Sequence, residues 1–156
     1  MLKGLAIFGT AMAAVAALGG IFNPSRGDTR AWYDQLAKPA FTPPDWVFGP
    51  VWTTLYVLIA ISGARVWRAD DSRERTIALR LWAAQLAFNG AWSPLFFGAK
   101  KPGPALADIA LMLLTIVAYI AVSRKSDKAA AWLFAPYLAW VALATAINAE
   151  VVRLND

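Results

Sequence analysis

Residues 104–123 read PALADIALMLLTIVAYIAVS, with Asp108 the one charged residue among them. An α-helix rises about 1.5 Å per residue, so a run of this length reaches roughly 30 Å, the thickness of a bilayer's hydrocarbon core. A strand is excluded because the run is too long and too rich in Ala and Leu. Four similar stretches accompany it, at 3–22, 46–67, 77–98 and 129–153. The expectation is an all-α integral membrane bundle of five transmembrane helices, one domain over residues 1–156, with a long ordered loop between helices 1 and 2.

Composition supports this. Hydrophobic residues make up 59% and charged residues 16%, where a soluble domain carries about 25% charged. The formal net charge of +5 sits in short clusters between the apolar runs. That distribution fits membrane-flanking loops better than a nucleic-acid surface, so no nucleic-acid partner is expected. Lys3 before an apolar run also resembles a signal peptide, but the further apolar stretches argue against that reading.

Cysteine and histidine are both absent. Disulfide and thiolate chemistry are therefore impossible, and the usual general base, metal ligand and haem axial ligand are missing. No catalytic residue and no metal site are expected, and no nucleophile–base pair stands out.

Punctuation separates the runs: Asn23-Pro24, RADDSRER at 68–75, KKPGP at 100–104 and RKSDK at 124–128. These links are short, so successive helices should be antiparallel neighbours. The exception is 24–45, where Trp32, Tyr33 and several prolines suggest an ordered cover rather than a flexible linker. With five spans, nine basic residues fall on the side of the N-terminus and six on the other, a small bias that in an inner membrane places the N-terminus in the cytoplasm. Whether the membrane is an inner or an outer one is not decided by sequence.

Polar side chains inside spans need a reason. Gln85, Asn89 and Ser93 recur every four residues, and Asn148 lies in the last run. They either join helices by hydrogen bonds or face a cavity. Asp108 reads as a residue at the water interface, favoured by its helix N-terminus. Glu150 and Arg153 read as a surface pair, and Arg80 as a snorkelling side chain. Pro50, Pro94 and Pro136 should kink their helices. Gly9, Ala13, Ala17 and Ala83, Ala87, Ala91 form small-residue stripes suited to close helix contact, within the bundle or between two copies.

Eight tryptophans are the strongest cue. Trp46, Trp67 and Trp132 fall at span ends, where an interfacial belt explains them. Trp52, Trp92 and Trp140 fall well inside. With Trp32, Tyr33, Tyr56, Phe88, Phe96 and Tyr137 they suggest a π-rich pocket for a flat apolar ligand. Arg26, Arg30 and Lys38, near its mouth, are candidates to pair with ligand carboxylates.

Three segments carry a resemblance. They are WYDQLAKP at 32–39 with Pro43-Pro44, Phe48 and VWTTLY at 51–56; FNGAWSPLFFG at 88–98; and PYLAW at 136–140 running on to Asn148. In order and spacing this resembles the tryptophan-rich sensory protein family, the bacterial branch of the mitochondrial translocator protein, or peripheral benzodiazepine receptor. The resemblance covers nearly the whole chain. It implies a homodimer of five-helix bundles whose pocket is closed by the first loop. It also implies binding of porphyrins, haem precursors and isoquinoline or benzodiazepine-type drugs. Family pocket residues fall on Tyr33, Pro43, Trp52, Tyr56, Asn89, Phe96, Trp140, Ala144 and Ile147. Ala40 stands where relatives often carry Trp. The stretch Ala149 to Arg153 lacks the Tyr of the animal cholesterol pattern, which argues against steroid binding.

The leading expectation is thus a membrane receptor for porphyrin or haem as ligand, with no obligatory cofactor and with membrane lipid as its surroundings. A transporter is the second reading. Proton coupling is disfavoured because Glu150, near a helix end, is the one Glu in any span. Light-dependent porphyrin degradation, with Trp52 and Trp140 as the implicated tryptophans, is the third.

Overall fold

A computed structural model describes residues 2–23 and 27–155. Its elements are α1 (Leu2–Ile21), α2 (Gly27–Gln35), α3 (Asp45–Arg68), α4 (Arg73–Ser93), a π-helical turn (Pro94–Gly98), α5 (Pro102–Ser126), α6 (Lys128–Leu133) and α7 (Ala135–Asn155). Among the described residues there is no strand.

Four segments are long and apolar enough to cross a membrane: Leu2–Ile21, Asp45–Arg68, Pro102–Ser126 and Lys128–Asn155. The remaining expected span, 77–98, divides between α4 and the π turn. α4 carries Arg73, Glu74, Arg75, Arg80, Gln85 and Asn89, which make it too polar to join the four on composition. Large apolar side chains such as Ile7, Val57, Leu111, Leu114 and Val117 face outward. The chain is an integral membrane protein, and these side chains suit acyl chains rather than water.

Helix ends follow local chemistry. Ser72 caps α4 by accepting from the Arg75 N–H at 3.1 Å, and Asp127 caps α6 by accepting from the Ala130 N–H at 2.9 Å. Asp127 also pairs with Arg65 at 3.0 Å. Pro94 cannot donate a backbone hydrogen bond, and the chain there widens into the π turn, closed by Ala99 N–H to the Pro94 carbonyl at 2.7 Å. Lys100, at φ 54, then reverses the chain toward α5. The kink expected at Pro136 is a break at Phe134 between α6 and α7. The segment expected to be a loop holds a helix, α2, whose first turn contains Asp28.

The helices form a ring in which α1 packs on α3 and α4, α5 on α4 and α7, and α3 on α6. Successive long helices are all in contact, α3 and α4 the most sparsely. Phe8 of α1 sits between Gly63 of α3 and Trp82 of α4, edge-on to Trp82 at 4.6 Å. α3 and α4 meet directly where the Trp82 indole donates to the Ile59 carbonyl at 3.0 Å. The core runs from Phe8 and Met12 through Ile59, Met112, Ile116 and Tyr119 to Tyr137 and Val141.

Candidate functional site

Helical spacing aims three aromatic rings of α3 the same way: Phe48, Trp52 and Tyr56 lie four residues apart. Trp52 lies 5.3 Å from Tyr56 and 6.4 Å, edge-on, from Trp140 of α7. Phe48 meets Trp140 at 5.4 Å. Across from them, Trp92 of α4 stacks on Phe96 at 4.8 Å, and Phe97 sits edge-on to Trp92 at 5.6 Å. The π turn brings both Phe96 and Phe97 to this wall.

Between the two walls lies a cavity of about 340 Å³. Its lining includes Tyr33, Lys38, Trp52, Tyr56, Asn89, Trp92, Phe96, Trp140, Ala144 and Ile147. The sequence had singled out all ten of these residues. Trp32 and Pro43 do not line it; Trp32 packs edge-on to Phe96 at 5.8 Å. Arg30 also lies outside the lining, exposed and paired with Asp34 and Asp45 at 2.8 and 2.7 Å. Arg26 lies outside the described residues. Lining residues that sequence reasoning did not assign to the pocket include Phe48, Phe97, Asn148, and Ile109 and Met112 of α5. For Phe48 the signal was present, since it stands one turn before Trp52.

α2 covers the mouth. Tyr33 rests edge-on to Phe97 at 5.6 Å. Lys38 places its ammonium 4.2 Å from the Tyr33 ring centre and donates to the Tyr33 carbonyl. Burial raises the Tyr33 phenol above its ordinary pKa, so the ring stays neutral at physiological pH. Asn155 of α7 ties the next segment down, accepting from Ala37 N–H at 3.0 Å and donating to its carbonyl at 2.9 Å. Among the described residues, Lys38 is the one cationic side chain in the lining.

Beneath the rings lies a polar network. Asn89 donates to the Tyr137 hydroxyl at 2.8 Å, and that hydroxyl donates to Gln85 at 3.0 Å. Tyr56 donates to Asn89 over a longer 3.4 Å. Trp92 donates to Asn148 at 3.1 Å, and Asn148 donates to the Pro102 carbonyl at 2.9 Å. Gln85 thus serves helix joining, Ser93 faces the cavity, and Asn89 and Asn148 do both. Among the described residues, the buried Trp140 indole N–H has no partner. Asp108 is not at the water interface: it is 9% exposed, on the inward face of α5, with Oδ2 buried and unpartnered. The interior face of α5 runs Ala105, Asp108, Ile109, Met112, and helical spacing carries Asp108 inward with its apolar neighbours.

No group of side chains among the described residues is suited to hold a metal ion. An apolar chamber with aromatic walls, a polar floor and one cation at its mouth, set among membrane helices, suits a membrane protein with a sensory or binding role. Comparison with known proteins gives the class its family. Residues 8–154 match the TspO/MBR family, and the chain belongs to it. It is 41% identical to the tryptophan-rich sensory protein of Cereibacter sphaeroides over 95% of this chain and 89% of that one. It is 38% identical to Protein CrtK of Rhodobacter capsulatus over 96% and 91%. Against the human translocator protein it is 41% identical over 83% and 78%.

Proposed function

We propose that this protein is a membrane receptor for porphyrins and related tetrapyrroles, which also accepts isoquinoline and benzodiazepine-type drugs. The observation that carries the reading is the cavity walled on both sides by Trp, Tyr and Phe, with Lys38 at its mouth. A macrocycle stacks its faces on such rings, and a propionate at the rim meets the ammonium. Without His or Cys in the chain, haem lacks its commonest axial ligands here, so metal-free porphyrin should bind about as well. Ligand pockets run from about 300 to 1,000 Å³, and this one stands at the small end, so a macrocycle must displace a wall or the cover.

The receptor reading goes with α4 as the fifth span, so that one domain crosses the bilayer five times. It also goes with a homodimer in tetrapyrrole-linked regulation or stress response. Ala13 and Ala17 of α1, with Ala83 and Ala87 of α4, are exposed, which supports close contact between two copies. Transport is the second reading, and the buried Asp108 favours it, because it supplies the membrane-embedded carboxylate that Glu150 does not. Light-dependent degradation is supported by the neighbouring Trp52 and Trp140 rings as electron donors.

A titration of the purified protein with protoporphyrin IX, read by tryptophan quenching, tests the receptor reading. Saturable quenching that weakens in Trp52→Phe and Trp140→Phe is expected. Non-saturable quenching, the same in all three proteins, would mean detergent partitioning and refute it. Liposome flux and illumination-dependent product formation test the other two.

A further inference from the structure

We propose that ligand reaches the cavity sideways from the bilayer, through the seam between α3 and α7, with the Trp140 ring as the gate. The inference rests on the receptor reading above. α3 and α7 touch only sparsely, far less than α5 touches α4 or α7. On their outer side lies a groove of about 570 Å³, with Pro50 and Thr54 on one bank and Pro136, Ala139 and Leu143 on the other. Trp140 lines both this groove and the inner cavity. One indole ring is therefore a shared wall between the lipid side and the binding chamber.

That ring is held by packing alone. Its N–H has no hydrogen-bond partner among the described residues, and its ring neighbours, Phe48 and Trp52, meet it edge-on at 5.4 and 6.4 Å. Turning it aside breaks no hydrogen bond. The groove is also nearly free of polarity, because the Thr54 hydroxyl donates back to the Pro50 carbonyl at 3.0 Å. Apolar solutes can lie there without stripping water from polar groups.

The opposite end is fastened differently. Arg30 binds Asp45 at 2.7 Å, Asn155 makes two hydrogen bonds to Ala37, and Tyr33 packs on Phe97. Moving α2 aside breaks several polar bonds, whereas turning the Trp140 ring aside breaks none. A flat apolar ligand also concentrates in the bilayer, on the groove's side of the gate.

Thr54→Phe and Ala139→Phe, both at exposed positions outside the cavity, narrow the groove without touching the chamber. Each variant is placed in lipid nanodiscs and mixed with protoporphyrin IX in a stopped-flow instrument. A barrier on the path raises the transition state alone, so association and dissociation should both slow by about tenfold with Kd within about twofold. Wild-type rates in both variants, with saturable binding intact, would overturn the portal and leave the receptor standing. Asn155→Ala, which loosens the cover, should leave both rates unchanged; if it accelerates them instead, ligand passes under α2 and the portal is overturned. Absence of saturable binding in the wild-type protein refutes the receptor reading and the portal with it.

Discussion

Gly63→Ala places a single methyl group where α1, α3 and α4 converge. An ideal Cβ there lies 2.5 Å from Phe8 Cδ1 and 2.8 Å from Trp82 Nε1. Carbon atoms are best separated by about 3.5–4.0 Å, so the overlap is roughly 1 Å. Phe8 has little room to retreat, because it stands edge-on to Trp82 at 4.6 Å and 88°. Trp82 in turn is fixed by its hydrogen bond to Ile59 at 3.0 Å. Overpacking of this kind costs about 1–3 kcal/mol, and a disturbed hydrogen bond adds about 0.5–1.5 kcal/mol. Alanine's better helix propensity returns about 1 kcal/mol. Sterics win, and the net expectation is a loss of about 1–3 kcal/mol. The assay is reversible unfolding in mixed micelles with rising SDS, following tryptophan fluorescence. Gly9→Ala is the control: its Cβ meets nothing within 4 Å, so it should be neutral or slightly stabilising. Phe8→Leu frees space, so Gly63→Ala should cost much less in that background. Gly63→Ala as stable as Gly9→Ala, or a cost unaltered by Phe8→Leu, would refute the packing argument.

Tyr137→Phe strips the hydroxyl shared by Asn89 and Gln85. It should lose about 1–2 kcal/mol in the same unfolding assay, and less when combined with Gln85→Met. Asp108→Asn should fold with wild-type stability or better, because no ion pair to Asp108 is present among the described residues; a loss of several kcal/mol would reveal a charged partner. Asn155→Ala should free the segment around Ala37, seen as faster amide hydrogen exchange across residues 27–38 with α5 unchanged.

Much of this fold was readable because span length is a matter of counting. The stretches at 3–22, 46–67 and 104–123 fall within two or three residues of α1, α3 and α5. The rest depended on interactions that a linear pattern does not carry. α2 is short and polar, and its position is set by tertiary contacts: Trp32 on Phe96, Tyr33 on Phe97 and Arg30 on Asp45. A run of apolar residues at 129–153 hides the break at Phe134, although Pro136 marks its place. Asp108 was misjudged because distance from a helix end measures depth along the axis, while burial depends on which face looks inward. The cavity was legible through Trp52, Trp92 and Trp140, which fall well inside their spans and line it. Lys38 could be found by charge, but that Arg30 is occupied by Asp34 and Asp45 required three dimensions.

The fastening of the cover has a consequence for how the protein is made. Ala37 and its latch Asn155 lie 118 residues apart along the chain. At about 5–20 residues per second of synthesis, a ribosome needs roughly 6–24 seconds to travel between them. During that interval α2 has emerged but the residue that holds its trailing segment has not been translated. The cover can therefore be latched only after every membrane-spanning helix has been made.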